Sequence, residues 1–318
     1  MTAPGFADGL PASQAAMNVG FVGLGRMGLA LARNLAASGV RMTVLDAVAE
    51  RAAMVHGGNV SKAESLGSLA ANSDVIFLML PGPREVRSVA LGSDGIFAAA
   101  RPGTIIIDLS TVDVDTVDLL AEQAGLYGLY FGDAPVGRLA AHADRGESLF
   151  MVGAETQVLE RISPLLAAMG TTILHCGPAG HGTRTKLVNN FMVLSYCQIN
   201  SEALTLATAL GLELDRTLEV LLGTTASNGQ LRDKWRAKVL AGDLTPGFAL
   251  TLGLKDLTLA CDAAASSRVA LPMGNTARDI FRLAASAGYG DSDTSSLTDF
   301  WAKANNLQPL RCQTDKST

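Results

Sequence analysis

The spacing of apolar residues changes once along this chain, and the change divides it. From Asn18 onward, short apolar runs alternate with stretches of helical period. NVGFVG ends in glycine and is followed by RMGLALARNLAASG, whose apolar positions recur every three or four residues up to Gly39. RMTVLD is a second strand-like run, and helices are expected over 47–55 and 62–71. DVIFLML is a third strand, broken sharply by Pro81 and Gly82; 104–108, 129–133, 148–153 and 171–176 supply the fourth to seventh. Strands alternating with helices predict a doubly wound, mostly parallel sheet of α/β class with right-handed crossovers.

After Cys176 the strand pattern stops and only helical period remains. The stretch 180–211 opens on Gly180 and Gly182, contains no proline and meets its next glycine only at Gly211. Thirty residues at 1.5 Å rise make a helix of roughly 45 Å. Leu187, Val188, Phe191, Met192, Leu194, Leu204, Leu206 and Leu210 place apolar bulk nearly all round it, which predicts burial on most sides. Further helices are expected over 215–222, 230–240, 248–266, 275–287 and 295–304. The plan is an α/β domain over 18–179 and an all-α domain over 180–318, with the long helix as hinge and backbone of the second. Residues 1–17, rich in Ala, Gly and Pro, read as a loose tail; they lack the charged and apolar regions of a secretory signal.

Against this frame Gly23-Leu24-Gly25-Arg26-Met27-Gly28 has a meaning that a bare glycine cluster lacks. It is GxGxxG between a strand and a helix. The first glycine permits the tight turn, the second lets backbone approach a pyrophosphate, and the third lets helix pack on strand. Asp46 ends the second strand, where a carboxylate accepts from the adenosine ribose hydroxyls and repels a 2′-phosphate. NAD is therefore expected in preference to NADP. No arginine directly follows Asp46, although Arg51 lies one turn on.

A second concentration of chemistry lies in the long helix, whose first turns carry Lys186, Asn189 and Asn190 on one face. A lysine and two amides on an otherwise apolar helix are costly unless something polar requires them, so the site is expected there. Asp108-Leu109-Ser110-Thr111 and Asp133-Ala134-Pro135-Val136-Gly137-Arg138 end strands on the carboxyl edge, where ligands of doubly wound sheets sit. Ser110 is a substrate-side candidate, and Arg138 can reach the same crevice. Asp133 is expected to cap or brace the strand end. Composition narrows the partners. A net charge of −5 without a basic block excludes nucleic acid and anionic membrane, and no apolar run is long enough to span a bilayer. Four cysteines and four histidines show no metal-ligand spacing and no disulfide framework, so reduced thiols in a cytosolic protein and no metal are expected.

GFVGLGRMG, the Leu80-Pro81 strand end, DLST, DAPVGR, the KLVNN stretch and KDLTLA stand in an order and spacing that resemble the β-hydroxyacid dehydrogenase family. That family includes the 3-hydroxyisobutyrate, tartronate semialdehyde and sulfolactaldehyde reductases, and the likeness runs from Asn18 to about Asn305. It implies a Rossmann domain followed by a helical domain, an NAD(P)-dependent oxidoreductase, and Lys186 as the catalytic proton donor or acceptor. It further implies cofactor contacts at Gly23, Gly25, Arg26, Met27, Gly28, Asp46, Leu80, Pro81, Thr111 and Lys255, and substrate contacts at Asn189 and Asn190. Most members carry Ser-Gly-Gly where this chain has Gly137-Arg138-Leu139. The Gly-Arg form resembles the sulfolactaldehyde reductase branch, whose arginine binds the sulfonate, but that branch has hydroxyl residues where Leu139 and Val193 stand. The expected substrate is a small anionic aldehyde, sulfonate or carboxylate, with fewer hydroxyls to satisfy. Two alternatives are an imine reductase and a catalytically silent binding scaffold; retention of Lys186 argues against both. The resemblance also implies a homodimer or homotetramer.

Overall fold

A computed structural model of the chain describes residues 17–312, so the expected tail lies, but for Met17, outside the described residues. The chain falls into two units, up to Lys186 and from Leu187 onward.

The first unit is built on one sheet of nine strands among the described residues: β1 (Asn18–Val22), β2 (Arg41–Leu45), β3 (Val60–Lys62), β4 (Val75–Leu78), β5 (Ile105–Asp108), β6 (Tyr130–Asp133), β7 (Val136–Gly137), β8 (Ser148–Gly153) and β9 (Gly170–Gly177). Their order is β3-β2-β1-β4-β5-β6-β8-β7, with β9 paired to β8. β1 to β6 are parallel, as the alternation with helices requires. β8 runs antiparallel to β6 and β7, and β9 runs parallel to β8. The central strands β4 and β5 have no exposed side, and their Val-Ile-Phe-Leu and Ile-Ile-Ile sequences suit a sheet covered on both faces. Register aligns their ends: Val22 pairs with Leu45 and Leu78, Leu78 with Asp108, and Asp108 with Asp133. The loops after β1, β2, β4, β5 and β6 therefore leave the sheet along one edge. The order β3-β2-β1-β4-β5-β6 reverses direction between β1 and β4, the switch point where such sheets bind ligands.

The details depart from the sequence expectation where turn chemistry overrides helical period. The 47–55 helix shrinks to α2 (Ala49–Ala52), following α1 (Arg26–Ala37). The 62–71 segment splits into β3, which pairs with β2, and α3 (Leu66–Ala71), opened by a Ser65–Ser68 capping box. β7 is only two residues long and leaves no periodic trace.

In the second unit the long helix is continuous over His181–Ala209, with its first six residues belonging to the first unit. Leu194, Cys197 and Leu204 are buried in a core with Leu218, Trp235, Leu250, Leu257, Phe281 and Leu297. The helix is buried or half-buried on most sides, but not at every apolar position expected: Val188, Met192, Leu206 and Leu210 are exposed. These four share a stripe at helical spacing, which the single chain leaves uncovered. The 230–240 helix is also corrected. It is a π turn (Leu231–Trp235) and a 3₁₀ turn (Val239–Ala241), ended by Gly242 at φ 80°. The wider turn buries Lys234 beside Trp235. There Lys234 Nζ lies 2.8 Å from Asp293 Oδ1 and donates to Thr294 Oγ1 at 2.6 Å. Asp293 also accepts from the backbone of Gly247, Phe248 and Ser295, so one buried ion pair ties three segments together. No helix among the described residues is long and apolar enough to cross a membrane.

Candidate active site

The glycines after β1 have two different reasons to be glycine. Gly23 has φ 95°, and a Cβ there would run into the carbonyl oxygen of Met79; a Cβ on Gly28 would strike the Gly23 carbonyl. Those two are required by packing within the protein. A Cβ on Gly25 would meet nothing within 4 Å. Gly25 is the residue before α1, whose N-terminus has no side-chain cap and no acidic residue in its first turn. The free N–H groups and positive dipole end therefore face a space that the middle glycine keeps open, the geometry a pyrophosphate needs.

Asp46 is fixed beside this turn. Its Oδ2 accepts the Leu24 N–H at 2.5 Å and its Oδ1 the Val48 N–H at 2.8 Å, with Arg51 Nη1 3.5 Å from Oδ1. Its side chain is only 7% exposed; Oδ1 accepts from both Val48 and Arg51, and Oδ2 keeps a lone pair that a ribose hydroxyl could use. Arg26 points along α1 to a two-nitrogen ion pair with Asp144 at the end of α4 (Ala140–Asp144), and Met27 packs against the core. Two strands on, Asp108 Oδ1 accepts the Ser110 N–H at 2.9 Å, and Ser110 Oγ accepts the Leu80 N–H at 2.9 Å. The Ser110 hydroxyl, a substrate candidate, is thus engaged in holding the Leu80-Pro81 strand end. Thr111 follows it, half-buried.

Lys186 is positioned from below. Asp133, fully buried at the end of β6, accepts the backbone N–H groups of Gly180 (2.5 Å) and Thr183, two donors at the start of the long helix. Gly182 permits that approach, since a Cβ would collide with the Met151 carbonyl. So Asp133 braces the helix, and does so across 47 residues of chain. One and a half turns on, Lys186 Nζ donates to the Val136 carbonyl at 2.7 Å, three residues past Asp133. The amine is thereby held to the carboxyl edge that carries the glycine turn, Leu80 and Ser110.

Burial pushes the Asp133 carboxyl up to about 6, against the lowering effect of the N–H groups it accepts. Its ordinary value is 3.8, so between about 4 and 6 the folded chain keeps a proton that the unfolded chain has released. This group's contribution to stability is therefore present below about 4 and declines as pH rises to about 6. Asp133→Asn is expected to flatten that part of the profile, and chemical denaturation of both proteins from pH 4 to 7 measures the difference in slope. Identical slopes would mean that Asp133 does not titrate in this window.

Arg138 follows Gly137 with φ 70°, in the left-handed region where a side chain is uncommon. Its Nη1 donates to the Glu147 carbonyl (2.6 Å) and Thr171 Oγ1 (3.0 Å), and its Nη2 to Thr172 Oγ1 (3.1 Å). Three of the five guanidinium donors are thus used; Nε–H and one Nη2–H, side by side on the fork, are left. Leu139 is half-buried at the start of α4. Neither threonine is singled out by sequence reasoning, because they reach Arg138 only through the pairing of β8 with β9.

The remaining candidates belong to the second unit. Asn189 Nδ2 donates to Asn190 Oδ1 at 3.1 Å, and Asn190 Nδ2 donates to Asp256 Oδ2 at 2.7 Å. Asp256 Oδ1 lies 2.9 Å from Lys255 Nζ. The two asparagines and the lysine of KDL are therefore one polar chain through Asp256, which sequence reasoning passed over although it stands inside the motif. Val193 is half-buried on the same helix.

Comparison with known proteins agrees with both units. Residues 18–177 match the family model described as the NAD binding domain of 6-phosphogluconate dehydrogenase. Residues 180–301 match the one described as NAD-binding of NADP-dependent 3-hydroxyisobutyrate dehydrogenase. The chain is 34% identical to the 3-sulfolactaldehyde reductase of Escherichia coli over 88% of its own length and 94% of that protein's. It is 33% identical to the 2-(hydroxymethyl)glutarate dehydrogenase of Eubacterium barkeri over 92% and 97% of the two chains. Among solved structures, Mycobacterium tuberculosis 3-hydroxyisobutyrate dehydrogenase with L-serine superposes with a TM-score of 0.80 at 33% identity, covering 89% of this chain and 98% of that one.

Proposed function

We infer the reaction from one premise: the chain belongs to the β-hydroxyacid dehydrogenase family and is an NAD-linked oxidoreductase. It interconverts a small anionic aldehyde and the corresponding hydroxy acid, with Lys186 handling the proton. NADH, when bound, would supply a hydride for an aldehyde carbon. The alkoxide that results needs one proton, and Lys186 Nζ, as the ammonium, donates it and stabilises the developing negative charge. In the oxidising direction the neutral amine takes the hydroxyl proton. Asn190, four residues on along the same helix, orients the lysine or the substrate oxygen, and Asn189 lies beside the substrate. Arg138 takes the far anionic end through its remaining Nε–H and Nη2–H, a two-donor fork suited to sulfonate or carboxylate.

The observation that carries this reading is the tether from Lys186 Nζ to the Val136 carbonyl, which supports a proton donor held on the cofactor edge of the sheet. NADH oxidation by sulfolactaldehyde and by succinic, methylmalonate and tartronate semialdehydes, ranked by kcat/KM, tests it; turnover of none of them would end it. Arg138→Ala is expected to raise KM for the best substrate by roughly 10- to 100-fold, the loss of a charge-assisted bond worth about 1.5–3 kcal/mol. The Kd for NADH should stay within about twofold of the parent's, since Arg138 is given no part in cofactor binding. An unchanged KM would remove Arg138 from the site and leave it as a brace between β7, β8 and β9.

A further inference from the structure

The segment between β7 and β8 carries Arg138 at its start and closes on itself. After α4 it turns through Gly146, at φ 69°. There the Gly146 N–H donates to the Ala143 carbonyl at 3.1 Å and the Glu147 N–H to the His142 carbonyl at 2.8 Å, a helix ending that the left-handed glycine permits. The turn also sets where the Glu147 carbonyl points. That carbonyl receives Arg138 Nη1 at 2.6 Å, the shortest of the three bonds the guanidinium makes. The turn at 143–147 therefore helps to aim the fork.

The turn is in its own right held from elsewhere. Asn34, half-buried on α1, donates its Nδ2 to the Ala143 carbonyl at 2.6 Å, across 109 residues of chain. A Cβ on Gly146 would stand 3.8 Å from the same amide, so Asn34 borders both residues of the turn. The other tie between α1 and α4, the Arg26–Asp144 ion pair, has side chains 59% and 47% exposed. An ion pair that open to water is screened by salt and holds little. The Asn34 bond is neutral and partly shielded, so it is the tie that fixes the turn.

Arg138 needs such support. Its backbone lies at φ 70°, a conformation that persists only where the surroundings over-determine it. Its long side chain also has many rotamers to lose. If the turn shifts, the Glu147 carbonyl moves out of line, and hydrogen bonds weaken steeply with misalignment. We propose that Asn34 is a positioning residue for the anionic end of the substrate: it holds the 143–147 turn against α1, and the turn aims the Arg138 guanidinium. This rests on Arg138 as the anion-binding residue and names what sets its affinity. One helix then serves both ends of the reaction, with its N-terminus toward the cofactor and its body toward the substrate anion.

Steady-state kinetics on the full chain, with NADH and the best substrate of the aldehyde panel, test this through four proteins: the parent, Asn34→Leu, Arg138→Ala and the double variant. Asn34→Leu removes the donor at similar size and is expected to raise KM about 3- to 10-fold, the range for one neutral hydrogen bond, with kcat within about twofold. Asn34→Asp, which sets a carboxylate oxygen against the carbonyl, should raise KM at least as far. In the Arg138→Ala background Asn34→Leu should add less than about twofold, because residues that act through one contact are not additive. An unchanged Kd for NADH shows that each variant is folded. If Arg138→Ala raises KM while Asn34→Leu does not, or adds the same factor in both backgrounds, the proposal is overturned and Arg138 keeps its role. If Arg138→Ala leaves KM unchanged, the anion reading fails and takes the proposal with it. Equal weakening of NADH and substrate by Asn34→Leu would assign Asn34 to the packing of α1 and also overturn the proposal.

Discussion

Lys186→Ala is expected to lower kcat by about 10²- to 10⁴-fold, the usual contribution of a positioned general acid or base, while the Kd for NADH changes little. The asymmetry follows from where the amine is held. Its tether is the Val136 carbonyl, and the residues that form the glycine turn, the Asp46 carboxylate and the Ser110–Leu80 contact are fixed by bonds that do not involve it. Removing the side chain thus removes a proton donor without dismantling the cradle. Stopped-flow hydride transfer and NADH fluorescence titration on the same variant separate the two effects. Equal loss of turnover and of cofactor binding would show that Lys186 serves the fold, since its tether also joins the long helix to β7. Lys186→Arg sharpens the test: it keeps a cation able to reach the carbonyl, but a guanidinium does not release its proton in the working pH range. It should preserve thermal stability and remain as slow as the alanine variant.

The second large effect concerns stability. Lys234→Met is expected to destabilise the helical unit by about 3–5 kcal/mol, the cost of leaving one member of a buried ion pair without the other. Lys234 and Asp293 have side chains 3% and 0% exposed, so neither charge can turn to water. Burial alone would push the Asp293 carboxyl up, but the Lys234 ammonium and the Ser295 donors hold it below its ordinary value. A carboxylate depressed in the folded state stabilises above its unfolded value and loses that contribution as pH falls through its folded value. In the parent, the contribution of Asp293 is therefore complete above about pH 4 and declines below it. Without Lys234 burial acts on the Asp293 carboxyl with less opposition, so this loss toward acid pH should shrink or reverse. Thermal unfolding at pH 7 should show a drop of roughly 10 °C, on the scale of 2–4 °C per kcal/mol for a unit of this size. A shift under about 2 °C would mean that the helical unit repacks around the lone carboxylate. The pair also accounts for the local geometry, because an unbroken α-helix over 230–240 does not give the π turn that brings Lys234 and Trp235 inward together.

The parts of this protein that are legible in its sequence are those whose cause is local. The run at β4 is apolar on both faces because a central parallel strand has no exposed side, and periodicity alone reports that. Gly23, Gly25 and Gly28 stand at the spacing a strand–turn–helix imposes on a phosphate loop, and Asp46 ends the next strand, so the cofactor half of the candidate site is written in order along the chain. Where the cause is distant, the pattern is silent or misleading. β3 and β7 are three and two residues long and exist through pairing with β2 and β8. The long helix has an apolar stripe at Val188, Met192, Leu206 and Leu210 that composition cannot distinguish from core.

By itself, the sequence determined the α/β plan followed by helices, the glycine turn between strand and helix with an acid ending the next strand, and the lysine with two amides at the start of the long helix. Each of these rests on a period or a spacing that neighbouring residues enforce on one another. Only the tertiary structure decided that Asp133 braces the helix that carries Lys186, that Thr171 and Thr172 bond to Arg138, that Asp256 joins Asn190 to Lys255, and that Asn34 bonds to the Ala143 carbonyl. Those partners are set by which strands and helices pack side by side. Hydrogen bonds and charges act over a few ångströms of space, whatever the length of chain between them.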